Sequence, residues 1–427
     1  MRILQVHKYY SKKRGGGSVT AFFEIIKILE KNGHTVSVFS MKDSEKDSEN
    51  EKSEYERYFT KHLDFNEKNN VWEKIKMVGK VIFNREAQKK IEKIIQAEKP
   101  EIAHLHNFYH YLSPSIIFSL KKNKIPMIMT LHDYKLICPN YKLFSQGKIC
   151  ENCREGRYHH CFLKKCVKNS YSFSLVAMLE AYLHKFLKTY ERVDLFIAPS
   201  KFMKEKCVEF GISPEKIKIL KNPFDTKNFG LSKEEENYFL YYGRLSEEKG
   251  ISDLIKAVAK IHQENFLEKD KLLIVGKGPE EKNLKKLVQK LKMERKISFL
   301  GFKQGEDLKK IIASSKFTVL PSVWYDNLPL TILESQLLKK PVIVSDLGGS
   351  KELMIENETG FIFQGGNIDD LGEKIKKMLN LNFLEREKMG EKARKNISEV
   401  NDEKNLYSQL LKIYKEVINN YKRKEKK

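Results

Sequence analysis

The sequence predicts an α/β protein built from two doubly wound, Rossmann-like domains. The chain has 427 residues, of which 41% are hydrophobic. A single core rarely serves so long a chain, so two domains of roughly 200 residues each are expected. Short apolar runs alternate with amphipathic helical stretches along both halves. This alternation is typical of parallel sheets that are covered by helices on both faces.

The first half begins with an apolar run that predicts a buried strand at residues 3–7. A glycine-rich turn at residues 15–17 follows, and then an amphipathic helix that ends at Gly33. The charged, weakly patterned stretch 42–70 predicts a loop or a variable edge segment. Further strands are predicted at residues 36–39, 102–106, 127–131 and 195–199.

The second half repeats this alternation. Strands are predicted at residues 238–242, 272–275, 297–300, 317–320 and 342–345. We place the first domain at residues 1–198, with a cysteine-rich, irregular insert at 138–170, and the second at residues 199–402. The last helix and its basic tail, residues 403–427, are expected to cross back to the first domain. In such sheets, ligands bind beyond the carboxyl ends of the strands.

The chain is strongly basic. It carries 80 Lys and Arg residues against 57 Asp and Glu, a formal net charge of +23. Such a surface attracts phosphorylated small molecules, anionic lipid and nucleic acid alike. A general preference for surface lysine explains the charge equally well, so charge alone does not choose the partner.

The amino terminus carries no recognisable signal peptide, because its apolar run is short and no small-residue cleavage site follows it. No apolar run approaches the ~18 residues that a membrane-spanning helix needs. The expectation is a cytoplasmic protein, with peripheral contact to the inner face of the membrane left open.

The strongest chemical signal is the sequence Gly-Arg-Leu-Ser-Glu-Glu-Lys-Gly, which lies between a predicted strand and a predicted helix. Arg244 offers a planar fork to phosphate oxygens, and Lys249 adds a compact charge. Gly243 and Gly250 permit tight turns on either side. The motif favours a diphosphate site, although a solvated basic loop explains it in isolation.

A second signal follows a later strand, where Asp326 and Glu334 bracket seven residues. Asp326 lies in the predicted loop and Glu334 on the predicted helix. Carboxylates suit sugar hydroxyls, because each of their two oxygens accepts hydrogen bonds. The alternative is that Asp326 caps the helix and Glu334 is a surface charge.

Together these motifs resemble those of the retaining GT-B glycosyltransferases of family 4, the group 1 transferases. Residues 243–250 match that family's diphosphate loop, and residues 326–334 match its paired-acid motif. Weaker matches lie at residues 222–225, 276–279 and 347–352. The resemblance covers nearly the whole chain and implies a GT-B fold, with two domains facing a central cleft.

The resemblance implies a role for each candidate residue. Arg244 and Lys249 would hold the donor diphosphate and stabilise its growing charge, and Glu334 would bind the ribose hydroxyls. Asp326 and His132 would contact the donor sugar. The family usually has Glu where Asp326 stands, which leaves the donor sugar open. A strand-end histidine such as His132 can also serve packing alone.

The resemblance also implies five further donor-binding positions. They are Gly16, Gly17, Gly243, Asn327 and Leu330. The first two would let an early loop approach the reaction centre.

The resemblance also implies the reaction. A sugar would pass from a nucleotide-sugar donor, most often a UDP-sugar, to a saccharide or lipid-linked oligosaccharide with retention of configuration. Cell-surface polysaccharide biosynthesis is the expected setting. We expect catalysis to need no metal ion, because the sequence holds no Asp-x-Asp motif that would bind one.

Five cysteines fall between residues 138 and 166. Four of them, Cys150, Cys153, Cys161 and Cys166, include a C-x2-C pair and can form a tetrahedral zinc site. Because an irregular segment of this length needs something to order it, we expect a structural zinc ion. Reduced cysteines in a loop are the alternative.

Three rival readings remain. A dehydrogenase would use Gly276-x-Gly278 after a strand, but Glu281 stands where the third glycine of the dinucleotide motif belongs. A zinc-containing nucleic-acid-binding protein would fit the charge, yet the basic residues are spread along the chain and no recognition motif is present, so no nucleic acid partner is expected. A sugar phosphorylase lacks a defensible pyridoxal lysine.

Overall fold

A computed structural model of the protein describes residues 1–12, 16–43, 53–63, 71–225, 229 and 234–425, with the side chains of residues 71–76 excepted. The chain forms two compact units, and each contains a six-stranded parallel sheet. The predicted α/β class with two Rossmann-like domains is therefore confirmed. The first unit comprises Met1–Lys142, Glu151–Phe224 and Glu403–Lys427, and the second comprises Leu143–Cys150 and Asp225–Asp402.

Fourteen strands are found in the described residues. In chain order they are β1 Arg2–Tyr9, β2 Thr35–Met41, β3 Ile102–His106, β4 Met127–Thr130, β5 Phe144–Ser145, β6 Lys148–Ile149, β7 Leu195–Ala198, β8 Ile217–Ile219, β9 Tyr238–Tyr242, β10 Lys271–Val275, β11 Ile297–Gly301, β12 Thr318–Leu320, β13 Val342–Ser345 and β14 Gly360–Phe363.

The described residues also contain fifteen α-helices. They are α1 Gly17–Lys31, α2 Val71–Ile82, α3 Arg85–Glu98, α4 Tyr109–Leu112, α5 Ile116–Lys122, α6 His159–Leu163, α7 Tyr171–Phe186, α8 Lys201–Glu209, α9 Ile251–Gln263, α10 Glu281–Lys290, α11 Gly305–Ser314, α12 Leu330–Leu337, α13 Ile368–Asn380, α14 Phe383–Val400 and α15 Glu403–Glu425. None of these helices combines the length and the apolar character that crossing a bilayer requires.

The strand order of each sheet reverses once near its middle. The first sheet runs β2-β1-β3-β4-β7-β8, and the second runs β11-β10-β9-β12-β13-β14. The reversal therefore lies between β1 and β3 in the first unit, and between β9 and β12 in the second. Ligands of doubly wound sheets bind at the carboxyl ends of the strands beside this point. The motifs at residues 243–250 and 321–334 directly follow β9 and β12.

The ten predicted strands are all present, and the structure adds four short ones. β8, β14 and the hairpin β5–β6 lack the long apolar run that marks a buried strand. The described part of the predicted loop at residues 42–70 contains a 3-10 turn, Glu56–Tyr58. Residue 15 of the glycine-rich turn lies outside the described residues.

The structure corrects the predicted domain boundary. The division falls between Phe224 and Asp225, not between residues 198 and 199. After residue 198 the chain still contributes α8 and β8 to the first unit. β8 pairs in parallel with β7, with Phe196 opposite Ile217. The cysteine-rich insert is also more ordered than predicted, because it contains the hairpin β5–β6 and the helix α6.

The carboxyl-terminal helix α15 groups with the first unit and packs its apolar face on that unit's core. It also makes a buried polar contact with the sheet. The hydroxyl of Tyr414 accepts a hydrogen bond from Nε2 of Gln5 at 3.2 Å and lies 2.8 Å from Nδ1 of His104. All three side chains are fully buried. These bonds fix how the last helix seats on β1 and β3.

The Tyr414 contact gives a stability prediction. Tyr414→Phe is expected to lower the free energy of unfolding by about 1–3 kcal/mol, because it leaves polar atoms of Gln5 and His104 buried without a partner. Tyr407→Phe is the matched control, since its half-buried hydroxyl bonds to Nε2 of His34 at 2.9 Å and water can replace it. Urea denaturation of both variants measures the difference. Equal losses would contradict the importance of the buried network.

Candidate functional site

In the second unit, the loops that follow β9 and β12 are packed backbone against backbone. Gly250 has a φ of 66°, and a Cβ at this position would lie 1.9 Å from the carbonyl oxygen of Pro321. The backbone N–H of Val323 donates to the carbonyl oxygen of Glu248 at 3.0 Å. Glycine at residue 250 is therefore required for the two loops to meet.

The predicted residues Lys249 and Asp326 form an ion pair between these loops. Nζ of Lys249 lies 2.7 Å from Oδ1 and 3.0 Å from Oδ2 of Asp326. Ser322 donates to Oδ2 of the same carboxylate. The side chains of Lys249 and Asp326 are only 18% and 7% exposed. The structure thus joins two residues to which the sequence assigned separate roles.

The surroundings of the pair hold it in place. Nζ of Lys249 lies 5.3 Å from the ring centroid of Trp324, a distance suited to a cation–π interaction. The carbonyl oxygen of Asp326 accepts a hydrogen bond from Gly349 at 2.7 Å, so the loop after β13 also reaches this residue. Loops from three neighbouring strands therefore converge on Asp326.

Arg244 differs from Lys249, because its side chain is exposed. Within the described part of the chain, the structure gives this guanidinium neither a hydrogen bond nor an ion pair. Its backbone is fixed, since the hydroxyl of Tyr241 donates to the carbonyl oxygen of Arg244 at 2.9 Å. Gly243 precedes it at the end of β9. The result is an anchored cation that is free to meet an anion.

Glu334 lies on α12, one turn beyond the start of the helix at Leu330. Burial raises the pKa of Glu334 to about 7, and a hydrogen bond with Tyr242 opposes part of that rise. The amino end of α12 has Pro329 at its cap and no side-chain cap. Its first backbone N–H groups therefore remain available to a ligand. Asn327 is half-buried in the preceding loop.

Several buried polar atoms around these loops have no hydrogen-bond partner among the described residues. They are Oγ of Ser246, Nε1 of Trp324, Oγ1 of Thr331 and Oγ of Ser350. Each follows the carboxyl end of β9, β12 or β13. Buried polar groups are nearly always paired in native proteins. A bound polar molecule would give these atoms the partners that the protein does not.

In the first unit, His132 follows β4 and belongs to a chain of hydrogen bonds through the sheet. Nε2 of His132 lies 3.0 Å from Nδ1 of His106, and Nε2 of His106 lies 3.0 Å from Oε1 of Gln5. Gln5 in turn contacts Tyr414 of α15. The predicted residue is thus connected, through two strands, to the last helix.

This chain sets the proton positions of His132. The Oε1 atom of Gln5 can only accept, so Nε2 of His106 must carry a proton. Burial lowers the pKa of His106 well below its usual range, so its ring is neutral and its Nδ1 accepts. Nε2 of His132 is therefore the donor. Loss of hydration, reinforced by the Lys8 ammonium, lowers the pKa of His132 to about 3. His132 is a neutral imidazole whose Nδ1 is a hydrogen-bond acceptor.

Two residues beside His132 were not identified from the sequence. Lys8 lies near the end of β1, and its Nζ is 5.4 Å from the ring centroid of Tyr9. Burial lowers the pKa of Lys8, and the Asp133 carboxylate opposes that shift. His106, which ends β3, supports His132. Both residues lie at or near the carboxyl end of a strand beside the reversal of the first sheet, and that position could have revealed them.

Gly16 and Gly17 lie at the amino end of α1. The carbonyl oxygen of Gly16 accepts hydrogen bonds from the N–H groups of Val19 and Thr20, both at 3.1 Å. Gly16 itself has a φ of 94°, and no side chain caps the helix. The two glycines therefore form a helix start without a side-chain cap, and their approach to a ligand stays a prediction.

Zinc binding by Cys150, Cys153, Cys161 and Cys166 stays a prediction. Among the described residues, which include all six cysteines, no group of three or more His, Cys, Asp or Glu side chains is arranged to hold a metal ion. Cys153 and Cys161 are buried against α7, and Cys166 packs beside them. Cys150 closes the hairpin β5–β6, which groups with the other unit. A hydrogen bond that the Cys161 thiol donates to Cys166, together with burial, raises the pKa of Cys161 well above its usual range.

Sequence models of two protein families match the chain. The family described as "Glycosyltransferase Family 4" matches residues 15–228, about half of the chain. The family described as "Glycosyl transferases group 1" matches residues 224–396. The two matches together cover both structural units, and the second contains every candidate residue on β9, β12 and their loops.

Curated proteins with similar sequences include an uncharacterized glycosyltransferase of Methanocaldococcus jannaschii, 28% identical over 54% of this chain and 62% of the relative. Another is N-acetylgalactosamine-N,N'-diacetylbacillosaminyl-diphospho-undecaprenol 4-alpha-N-acetylgalactosaminyltransferase of Campylobacter jejuni, 30% identical over 46% of this chain and 54% of the relative. The chain therefore spans between about half and three fifths of the length of these two relatives.

Among solved structures, HepE of Anabaena in complex with UDP is similar over 97% of this chain and 100% of its own. The TM-score is 0.68 and the sequence identity is 17%. At that identity the likeness establishes the fold.

The hydrogen-bond chain through His106 makes a spectroscopic prediction. With ¹⁵N-labelled histidine, His132 is expected to be neutral and protonated at Nε2 from about pH 5.5 to 8.5, because its pKa is held near 3. Comparison with a His132→Gln sample assigns the resonance, and His106→Phe should release the ring into a mixture of tautomers. Observation of an imidazolium, or of a neutral ring protonated at Nδ1, would contradict the deduced chain.

Proposed function

This chain belongs to glycosyltransferase family 4, the group 1 transferases with the GT-B fold, and we propose that it moves a sugar from a nucleotide-sugar donor to a saccharide or lipid-linked acceptor. One observation carries the proposal. An exposed Arg244 and a fixed Lys249–Asp326 pair occupy the loops on either side of the strand reversal in the second sheet. Cationic and carboxylate groups suited to a diphosphate and to sugar hydroxyls thus lie where a doubly wound sheet binds its ligand.

The diphosphate is the leaving group in this proposal. As the bond from the sugar to phosphate breaks, negative charge grows on the diphosphate oxygens. Arg244 would hold two of these oxygens with its planar fork, and the open amino end of α12 would face the same charge. Groups that are fixed before the reaction stabilise such charge without reorganisation.

Lys249 would serve both the diphosphate and the sugar. Its ammonium has three N–H donors, and the two oxygens of Asp326 engage two of them. The third remains for a phosphate oxygen. By holding the Asp326 carboxylate in one orientation, Lys249 would also position it to accept hydrogen bonds from hydroxyls of the donor sugar.

The nucleoside would lie along α12. Ionised Glu334 accepts hydrogen bonds with both oxygens and so suits the two hydroxyls of a ribose. The unpartnered hydroxyls of Ser246 and Thr331 and the N–H of Trp324 would find partners in the same ligand. Asn327 and Leu330 would contribute from the loop and from the first backbone N–H of the helix.

In the first unit, His132 would accept a hydrogen bond from a donor-sugar hydroxyl through Nδ1, and the bare start of α1 at Gly16 and Gly17 would approach the same ligand. We further propose a UDP-sugar donor, retention of configuration and a place in cell-surface polysaccharide synthesis. The name of the Campylobacter relative, a transferase that acts on a diphospho-undecaprenol glycan, supports a lipid-linked acceptor. Independence from a catalytic metal ion stays a prediction.

Gly278, the second glycine of the Gly276-x-Gly278 pair, does not support the dehydrogenase alternative. A Cβ on Gly278 would lie 2.1 Å from the carbonyl oxygen of Leu245. Glycine at residue 278 lets the loop after β10 pack on the loop after β9. This packing explains the glycine without a bound dinucleotide.

Removal of the exposed guanidinium tests the proposal directly. Arg244→Ala is expected to lower the rate of sugar transfer by at least about tenfold with the fold intact, because the leaving diphosphate loses its main stabilising group. Arg295→Ala is the matched control, since Arg295 is also exposed but precedes β11, at the amino end of the outermost strand of the sheet. Near-normal transfer by Arg244→Ala, in an assay with a panel of nucleotide sugars, would refute the assignment.

The raised pKa of Glu334 predicts a pH dependence of nucleotide binding. Glu334 has a pKa of about 7, so the carboxylate is mostly protonated at pH 6 and mostly ionised at pH 8. The affinity for UDP should rise up to about tenfold across this range, since only the ionised form accepts from both ribose hydroxyls. Isothermal titration calorimetry measures it.

Glu334→Gln supplies the control for that titration. The phosphate groups of UDP also titrate near neutrality, but they do so equally with both proteins. The variant should therefore lose the part of the pH dependence that belongs to Glu334. Identical pH profiles for the two proteins would contradict the proposed ribose contact.

A further inference from the structure

The helix α7 is oriented with its polar side inward and its apolar side outward. Its most buried residues are Ser174, Ala177, Glu180 and His184. Five large apolar or aromatic residues, spaced four, four, three and four apart, form one exposed stripe: Tyr171, Leu175, Leu179, Tyr182 and Phe186. Phe186 is 83% exposed and Leu179 is 48% exposed. Helices on the surface of a globular protein normally show the reverse arrangement.

Specific bonds hold α7 in this orientation. Glu180 forms a buried ion pair with Lys135, whose Nζ also donates to the carbonyl oxygen of Pro139 at 3.3 Å. His184 bonds to Oγ1 of Thr189 at 3.0 Å and to the carbonyl oxygen of Ile82 at 3.1 Å. Rotation of the helix to bury the stripe would break the Lys135–Glu180 ion pair and the hydrogen bonds of His184. The apolar stripe is therefore a fixed surface feature.

Burial does not prevent ionisation of this inward pair. Desolvation opposes a charge on Glu180, but the neighbouring Lys135 ammonium, with His110, outweighs it and lowers the pKa of Glu180. The ion pair is therefore present at neutral pH, and so is the outward direction of the stripe.

Basic side chains surround the stripe. Residues 157–192 contain seven Lys and Arg against two Glu, and one of those two, Glu180, is the buried partner of Lys135. Nζ of Lys165 lies 4.3 Å from the ring centroid of Tyr171. Lys185 and Lys188 are exposed at the other end of the helix. Leu163 of α6, two residues before Lys165, is a further exposed apolar side chain.

We propose that this surface, the α7 stripe with its flanking lysines, docks the protein on an anionic lipid bilayer. Leucine and aromatic side chains would enter the boundary between headgroups and acyl chains, and the lysines would meet the anionic headgroups. Lysine stems can lie along apolar surface while their charged ends remain in water, which suits this border. A protein partner is less well matched, because the cores of protein interfaces are poor in lysine.

The docking surface would bring the first unit to the place where a lipid-linked acceptor resides, and this link to catalysis rests on the proposed function. The docking itself does not. A stripe on the first unit leaves the nucleotide loops of the second unit chemically untouched, so the two proposals can be tested apart.

The test is flotation of the full chain with two kinds of vesicle. One kind contains phosphatidylcholine alone, and the other also contains about 30% phosphatidylglycerol to give an anionic surface. Leu179→Gln/Phe186→Gln is expected to weaken partition to the anionic vesicles at least tenfold. The double variant Phe383→Gln/Leu384→Gln, which removes two similarly exposed apolar residues from α14, should bind like the unaltered protein.

Thermal unfolding followed by circular dichroism serves as the folding control, and the stripe variant should unfold at nearly the same temperature as the unaltered protein. Equal vesicle binding by the stripe variant and the unaltered protein would overturn the proposal. So would absence of vesicle binding together with an oligomer that the stripe variant abolishes, since that result assigns the stripe to contacts between copies of the chain. If the unaltered protein binds vesicles but transfers no sugar from any nucleotide sugar tested, that result would count against the proposed function alone.

Discussion

The Lys249–Asp326 ion pair joins the two loops that flank the strand reversal of the second sheet. Its members come from positions 77 residues apart in the chain, and both are largely buried. Removing either partner from such a pair leaves an uncompensated charge, which typically costs on the order of 3 kcal/mol. The close approach at Gly250, the Trp324 ring and the bond from Gly349 all surround this pair. The geometry offered to a ligand therefore depends on it.

The same principle operates in the first unit with neutral groups. Tyr414, Gln5 and His106 form a buried chain of bonds that ends at His132, and the acceptor Oε1 of Gln5 determines which nitrogen of His132 can accept. Polar groups buried in this way restrict a structure to one arrangement, because every alternative leaves some of them unpaired. In both units, buried polar contacts thus hold the side chains of candidate site residues in one orientation.

Much of the fold could be predicted from the sequence, because buried parallel strands are continuous apolar runs. The domain boundary could not, since β8 is a three-residue edge strand whose middle residue, Lys218, breaks the pattern. The placement of Arg244 and Glu334 after β9 and β12 could be predicted, because their motifs follow apolar runs. The pairing of Lys249 with Asp326 could not be predicted, because a linear pattern does not show which side chains meet between loops of neighbouring strands. The inward face of α7 could not be predicted either, because charged and polar residues such as Glu180 and His184 usually lie on the outer face of a surface helix.

Binding of a nucleoside diphosphate by the second unit can be measured with a thermal-shift series on the full chain. UDP, GDP, ADP, NAD and a DNA oligomer would each be added at equal concentration. Because a ligand that binds only the folded state raises the melting temperature, we expect selective stabilisation by a nucleoside diphosphate. Stabilisation by NAD or DNA alone, with no response to any nucleoside diphosphate, would contradict it.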